Sequence, residues 1–123
     1  MPAAVKTVLI VEDNDDLRQL FGTALTFAGF HVQEAVDGLD ALRRIRTEPP
    51  DLVVLDIGLP FVDGLVVGQQ LAGQALSCNI PVVVVTGMPG PHEELPRVHL
   101  LRKPVSPVQL VETVRACLAE GRN

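Results

Sequence analysis

The sequence lacks tryptophan and tyrosine and has only four phenylalanines among 123 residues. Proteins that bind single-stranded nucleic acid stack the bases on aromatic side chains, so the sequence lacks the residues for a base-stacking surface. The 15 acidic residues exceed the 10 basic ones, giving a net charge of −5 and no broad basic surface for a phosphate backbone. Cys78 and Cys117 are too far apart for a metal or redox motif and are predicted to be reduced thiols. We therefore expect no direct contact with nucleic acid and no disulfide framework.

Long hydrophobic runs are also missing. No apolar stretch approaches the ~20 residues that a membrane-spanning helix needs, and Met1–Lys6 does not have the layout of a secretory signal. At the same time 47% of the residues are hydrophobic, which is enough to build a core. The expectation is one soluble, cytoplasmic domain that spans residues 1–123.

Five short segments have the composition of β-strands. Three are unbroken apolar runs, which is typical of parallel strands covered on both faces, and two are of mixed polarity, which favours the edges of a sheet. The apolar runs are Val8–Val11, Leu52–Leu55 and Val82–Val85, and the mixed ones are His31–Ala35 and Val98–Arg102.

Helical periodicity fills the gaps between these segments. The first helix should end at Gly29, and the second should have Leu39, Leu42 and Ile45 on its inward face. The third covers about Leu65–Leu76. The last helix should start with Ser106 as its cap and Pro107 in its first turn. Alternating strands and helices predict an α/β fold, a flavodoxin-like doubly wound sheet of five parallel strands in the order 2-1-3-4-5. Only eleven proline-rich residues separate Thr86 from Val98, so the fourth helix should be short or irregular.

Polar side chains follow four of the strands directly. Glu12 and Asp13 come after the first strand, Asp56 after the third, Thr86 at the end of the fourth and Lys103 after the fifth. Ligands of open parallel sheets bind beyond the carboxyl ends of the strands where the strand order reverses, so these groups should converge. Three carboxylates suit Mg2+, with Mn2+ as an alternative, while the lysine and the hydroxyl suit an anion. Asp56 then becomes a candidate nucleophile.

Four motifs in this order resemble the receiver domain of two-component response regulators, of the kind found in chemotaxis regulators. They are VLIVEDN at Val8–Asn14, LDIGLPFVDG at Leu55–Gly64, VVVVTG at Val82–Gly87 and LRKPVSPVQL at Leu101–Leu110. The resemblance implies that Asp56 accepts a phosphoryl group and that Thr86 and Lys103 hold its oxygens. It also implies a cis bond between Lys103 and Pro104, and a Mg2+ site made by Glu12, Asp13, Asp56 and the backbone carbonyl of Gly58.

By the same resemblance, the donor is the phosphohistidine of a sensor histidine kinase or of a histidine phosphotransfer protein. The domain would catalyse only its own phosphorylation and dephosphorylation, so it is a signalling domain rather than an enzyme. It would be free-standing or belong to a larger regulator or hybrid kinase, and no DNA-binding segment follows in this sequence. The family usually has Tyr or Phe three residues before the lysine, and this chain has Leu100, so output through that face is expected to be weak or unusual.

Two other functions remain open at this point. One is a receiver-like interaction module that is never phosphorylated, which Leu100 favours. The other is a Mg2+-dependent phosphohydrolase using an aspartyl-phosphate, which normally needs a second acid where Gly58 stands. Taken alone, Asp13 would be a helix cap and Lys103 a surface lysine.

Overall fold

The structure, a computed structural model, describes residues 5–57, 79–87 and 98–120. Within these ranges the chain forms five strands and three helices. In chain order they are β1 (Thr7–Val11), α1 (Asp15–Phe27), β2 (His31–Ala35), α2 (Gly38–Thr47), β3 (Leu52–Ile57), β4 (Val82–Thr86), β5 (Val98–Arg102) and α3 (Pro107–Glu120). The predicted third helix and the proline-rich fourth crossover lie outside the described residues.

The five strands make one sheet in the order β2-β1-β3-β4-β5, and every neighbouring pair is parallel. This confirms the predicted strand order and the flavodoxin-like fold. The strand order reverses between β1 and β3. These two strands are hydrogen-bonded neighbours, with Val11 in register with Leu55. The carboxyl ends of these two strands therefore lie side by side.

Side chains of the central strands alternate between two hydrophobic clusters, one on each face of the sheet. Leu9 and Val11 of β1 pack with Ala41 and Ile45 of α2 on one face. Val8 and Ile10 point the other way and pack against α1 and α3; that cluster also contains Phe21, Leu25, Leu110, Val114 and Cys117. A strand that is covered on both faces needs apolar side chains at successive positions, which explains the unbroken apolar runs.

Both ends of α1 follow from local sequence. Asn14 is the N-cap, because its side-chain oxygen accepts a hydrogen bond of 3.0 Å from the amide of Leu17. The cap is therefore Asn14 and not Asp13, whose carboxylate is left for another role. After the helix, Gly29 has a φ of 99°, a conformation that glycine adopts at little cost, as its predicted stop position requires.

The predicted start of α3 is confirmed. Ser106 Oγ accepts a hydrogen bond of 3.0 Å from the amide of Gln109, and Pro107 is the first helical residue. Because proline has no N–H, its position here leaves no donor unpaired. The cap fixes where the helix begins, directly after the β5 loop that carries Lys103.

One expectation about α2 is wrong. Leu39 is 80% exposed, whereas Ala41 and Ile45 are the helix's buried residues and Leu42 is partly buried against them. A residue in the first turn can follow the periodicity of the buried residues and still lie beyond the edge of the sheet.

None of the helices in the described ranges is long and apolar enough to cross a membrane.

Candidate functional site at the carboxyl edge of the sheet

Asp56 and Lys103 meet at the carboxyl edge of the sheet. Asp56 continues β3 beyond the buried Leu52–Leu55, and its side chain is only 1% exposed. Lys103 follows β5 and is joined to Pro104 by a cis peptide bond, as predicted. Its Nζ lies 2.9 Å from Oδ1 of Asp56, although the two residues are far apart in sequence.

The buried carboxylate of Asp56 is short of hydrogen-bond donors. The Lys103 ammonium is close enough for an ion pair. Among the described residues, neither carboxylate oxygen of Asp56 has a hydrogen-bond partner. An unsatisfied buried carboxylate is costly, so such a group marks a place where a cation or a reacting group is expected. Its lone pairs are available for a ligand or for nucleophilic attack.

Glu12 brings a second buried carboxyl to the same place. It follows β1, is 5% exposed, and accepts a 2.9 Å hydrogen bond at Oε1 from the amide of Asn14. The pKa of Glu12 is raised from the ordinary value of 4.5 to about 8, mainly because the carboxyl is buried. The neighbouring carboxyls of Asp56 and Asp13 add to the increase, and the hydrogen bond from the Asn14 amide opposes it. Without a cation, the surroundings of Glu12 therefore favour its protonated form. Asp13 itself is exposed at the rim.

The other predicted residues of the site are described to different extents. Thr86 ends β4 and is in register with Ile57 of β3 and Arg102 of β5, which puts its backbone next to both Asp56 and Lys103 in the sheet. A methyl group on Gly87 would lie 3.7 Å from Cδ of Lys103, so this glycine borders the lysine side chain. Gly58 lies outside the described residues, and its proposed carbonyl ligand stays a prediction.

Arg18 is a polar residue of this region that the sequence did not single out. Its Nη1 donates a 2.8 Å hydrogen bond to the backbone carbonyl of Glu12, its Nη2 bonds Asp15, and its Nε lies 3.5 Å from Glu34 of β2. The side chain is 14% exposed, which is low for an arginine on a helix. The spacing of Asp15 and Arg18 in the first turn of a helix was the available signal, but it indicates only a surface ion pair.

The donor set fits a hard divalent cation that keeps part of its water shell. In the described ranges, no three Asp, Glu, His or Cys side chains form a group that could hold a metal ion. Mg2+ does not need three such side chains, because it is commonly held by one or two carboxylates and completes its octahedron with water and phosphate oxygens. The buried carboxyls of Glu12 and Asp56, with Asp13 at the rim, match that arrangement.

The fold and the site together define a class of protein: an open parallel α/β sheet with an acidic, lysine-bearing site at its switch point. Residues 8–115 match the family model of the response regulator receiver domain. The chain belongs to this family, whose members are signalling domains of two-component phosphorelays.

Named relatives agree with that assignment. The chain is 34% identical over 121 residues to the polar-differentiation response regulator DivK of Brucella ovis, covering 94% of this chain and 98% of the relative. It is 32% identical over 123 residues to the probable transcriptional regulator ycf27 of Cyanophora paradoxa, covering 96% of this chain but 50% of that protein, so it spans only half of that relative's length. A response regulator receiver protein from Sinorhizobium medicae superposes with a TM-score of 0.76 at 27% identity, covering 96% of this chain and 98% of that one.

Proposed function

We propose that this chain is a phosphorelay receiver in which Asp56 accepts a phosphoryl group from the phosphohistidine of a sensor histidine kinase or a histidine phosphotransfer protein. The observation that carries the proposal is the buried Asp56 carboxylate, with no hydrogen bond to its oxygens and with the Lys103 ammonium 2.9 Å away. Membership of the receiver family supports it. The cytoplasm is the proposed location, because the kinase and free Mg2+ must both have access to the site.

In the proposed reaction, an Asp56 oxygen attacks phosphorus as the bond from phosphorus to the histidine nitrogen breaks. The leaving imidazole keeps the electron pair and takes up a proton. Lys103 stabilises the negative charge on the transferring oxygens, and Thr86 is the proposed hydroxyl donor to them. Because phosphoryl transfer depends mainly on positioning and electrostatics, these fixed groups are what the protein has to supply.

Mg2+, or Mn2+ in its place, is the proposed cofactor, held by Glu12, Asp13, Asp56 and the carbonyl of Gly58. When bound, it neutralises the charge of the clustered carboxylates and polarises the phosphoryl oxygens. The raised pKa of Glu12 supports this role. Burial disfavours the ionised carboxylate, and a bound cation would stabilise that form.

The phosphorylated domain is proposed to act by changing a protein-binding surface. Leu100 of β5 is 40% exposed and stands where relatives usually carry an aromatic ring, so we propose that output does not depend on a rotating ring at this position. The same residue supports the alternative of an interaction module that is never phosphorylated. The unit acting in either case is proposed to be the single domain of residues 1–123.

The direct test is phosphorylation by a small donor. The protein is incubated with acetyl phosphate and Mg2+, and its intact mass is measured. We expect a phosphoryl adduct that Asp56→Asn abolishes and that Asp51→Asn retains. Asp51 is a matched control because it lies at the opposite end of β3, where its exposed carboxylate bonds the amide of Thr7 at 2.7 Å.

The alternatives give different outcomes in the same experiment. If neither acetyl phosphate nor a cognate kinase produces an adduct, the unphosphorylated interaction module is the better description. If the wild type hydrolyses small phosphate esters over many turnovers, the phosphohydrolase is favoured. A stable or slowly lost adduct without such turnover supports the receiver.

A further inference from the structure

Arg18 joins three elements that meet beside the acidic site. It lies on α1, and its three guanidinium nitrogens each reach a different oxygen: Nη1 the backbone carbonyl of Glu12, Nη2 the carboxylate of Asp15, and Nε that of Glu34. These partners belong to the end of β1, the first turn of α1 and the strand β2. The guanidinium therefore links the loop between β1 and α1 to both of its neighbours.

The contact with Glu12 bears most directly on the site. The Nη1 to carbonyl distance is 2.8 Å, a hydrogen bond of ordinary length from a charged donor, and such bonds are stronger than neutral ones. The Glu12 carbonyl begins the peptide unit that leads into Asp13. Holding this carbonyl fixes the backbone from which the carboxyls of both Glu12 and Asp13 extend.

An arginine is needed for this arrangement. A guanidinium presents its donors in a rigid planar fork and can bond three acceptors at once, whereas a lysine ammonium is a single point on a flexible stem. Its hydrogen bond to Asp15 raises the pKa of Arg18 above the ordinary value, so the fork remains charged over the whole working range. The low exposure of the side chain, 14%, also limits its freedom to swing away.

We propose that Arg18 is a positioning residue of the cation site: by holding the Glu12 carbonyl, it sets the geometry in which Glu12 and Asp13 bind a divalent cation. This rests on the proposed function, since it concerns the same site. Arg18 touches neither Asp56 nor the transferring group, so its effect comes through the loop between β1 and α1. Partners one step removed from a metal typically change its affinity by roughly 10- to 100-fold.

The test compares Mg2+ affinity in Arg18→Lys and Arg43→Lys, without any phosphoryl donor. Arg43 is a matched control: its Nη2 lies 2.7 Å from Oδ1 of Asp40, also three residues earlier in the first turn of a helix, but on α2 and without a contact to Glu12. Mg2+ is titrated into 15N-labelled protein, well below the melting temperature, and the amide shifts of Glu12, Asp13 and Asn14 give Kd. We expect Kd to rise roughly tenfold in Arg18→Lys and to stay at the wild-type value in Arg43→Lys.

Equal affinities in the wild type and Arg18→Lys would overturn the proposal. Equal losses in the two variants would overturn it as well, because they would indicate a general effect of replacing an arginine by lysine. If Arg18→Lys does not fold, Asp15→Asn replaces it, because it loosens the guanidinium and leaves Glu12, Asp13 and Asp56 intact. An unchanged Kd in that variant overturns the proposal.

Phosphorylation of the same samples separates this inference from the proposed function. An adduct on wild-type Asp56 together with equal Mg2+ affinities means that the function stands and the role of Arg18 fails. No adduct on the wild type, together with a tenfold difference in Kd, means that Arg18 positions a cation site that does not serve phosphoryl transfer.

Discussion

The ammonium of Lys103 lies 2.9 Å from Oδ1 of Asp56, bringing the loop after β5 against the end of β3. The carboxylate of Asp56 is almost fully buried, whereas the Lys103 side chain is about one-third exposed. The lysine therefore keeps contact with water while its partner does not. This asymmetry underlies the first prediction.

Replacing Lys103 with methionine should slow phosphorylation of Asp56 by acetyl phosphate by about 10²-fold, the effect typical of removing one preorganised donor to a developing charge. The rate is measured by intact mass over time at fixed Mg2+. Lys6→Met is the control, because Lys6 is the only other lysine in the sequence. A rate in Lys103→Met that equals the wild-type rate would remove the lysine from the proposed mechanism.

Glu12 should make the protein less stable as the pH rises. In the folded protein its pKa is about 8, against an ordinary value of 4.5, so the folded state binds more protons between these values. The free energy of unfolding therefore falls as pH rises from about 4.5 to about 8, and the loss is complete above that range. Urea titrations in EDTA should show this fall in the wild type and not in Glu12→Gln.

An exposed glutamate on α3, Glu112, provides the control for this pH dependence. Glu112→Gln should follow the wild-type profile in EDTA. Excess Mg2+ should reduce the fall in the wild type, since the cation stabilises the ionised form of Glu12. Superimposable profiles of the wild type and Glu12→Gln in EDTA would show that Glu12 titrates normally.

The sheet and the meeting of Asp56 with Lys103 could be predicted because they depend on local signals and one general rule. Unbroken apolar runs indicated the central strands, and parallel strands place their carboxyl ends along one edge. The exposure of Leu39 could not be predicted, because periodicity gives a face of a helix but not how far that face extends over the sheet. The pattern shared by inward residues fits Leu39 as well as Ile45.

The role of Arg18 could not be predicted for a related reason. In the sequence, Arg18 is an arginine three residues after an aspartate. This spacing is typical of an exposed ion pair on one helix, which stabilises the helix by a few tenths of a kcal/mol. The third contact of Arg18 is with Glu34, on a strand that precedes no motif of the site. Likewise, Asp13 and Asn14 are both good caps, and only the position of the Leu17 amide decides between them.

Two phenylalanines on α1 should differ sharply in their contribution to stability. Phe21 is 2% exposed and packs in the cluster beneath α1 and α3, whereas Phe27, the last residue of the same helix, is 89% exposed. Phe21→Ala should lower the free energy of unfolding by about 3–5 kcal/mol, and Phe27→Ala should change it by less than about 0.5 kcal/mol. Urea denaturation measures both. Similar losses in the two variants would mean that α1 packs through a different face.

The cap of α3 offers a final test of how the loop with Lys103 is held. Ser106 Oγ bonds the Gln109 amide at 3.0 Å, so Ser106→Ala should leave that donor unpaired and cost about 1 kcal/mol of stability. Ser106→Asp should retain most of it, because a carboxylate also accepts from the amide and interacts favourably with the helix N-terminus. The free energies of unfolding come from urea denaturation. Equal losses in the two variants would contradict the capping role and point instead to a steric requirement at Ser106.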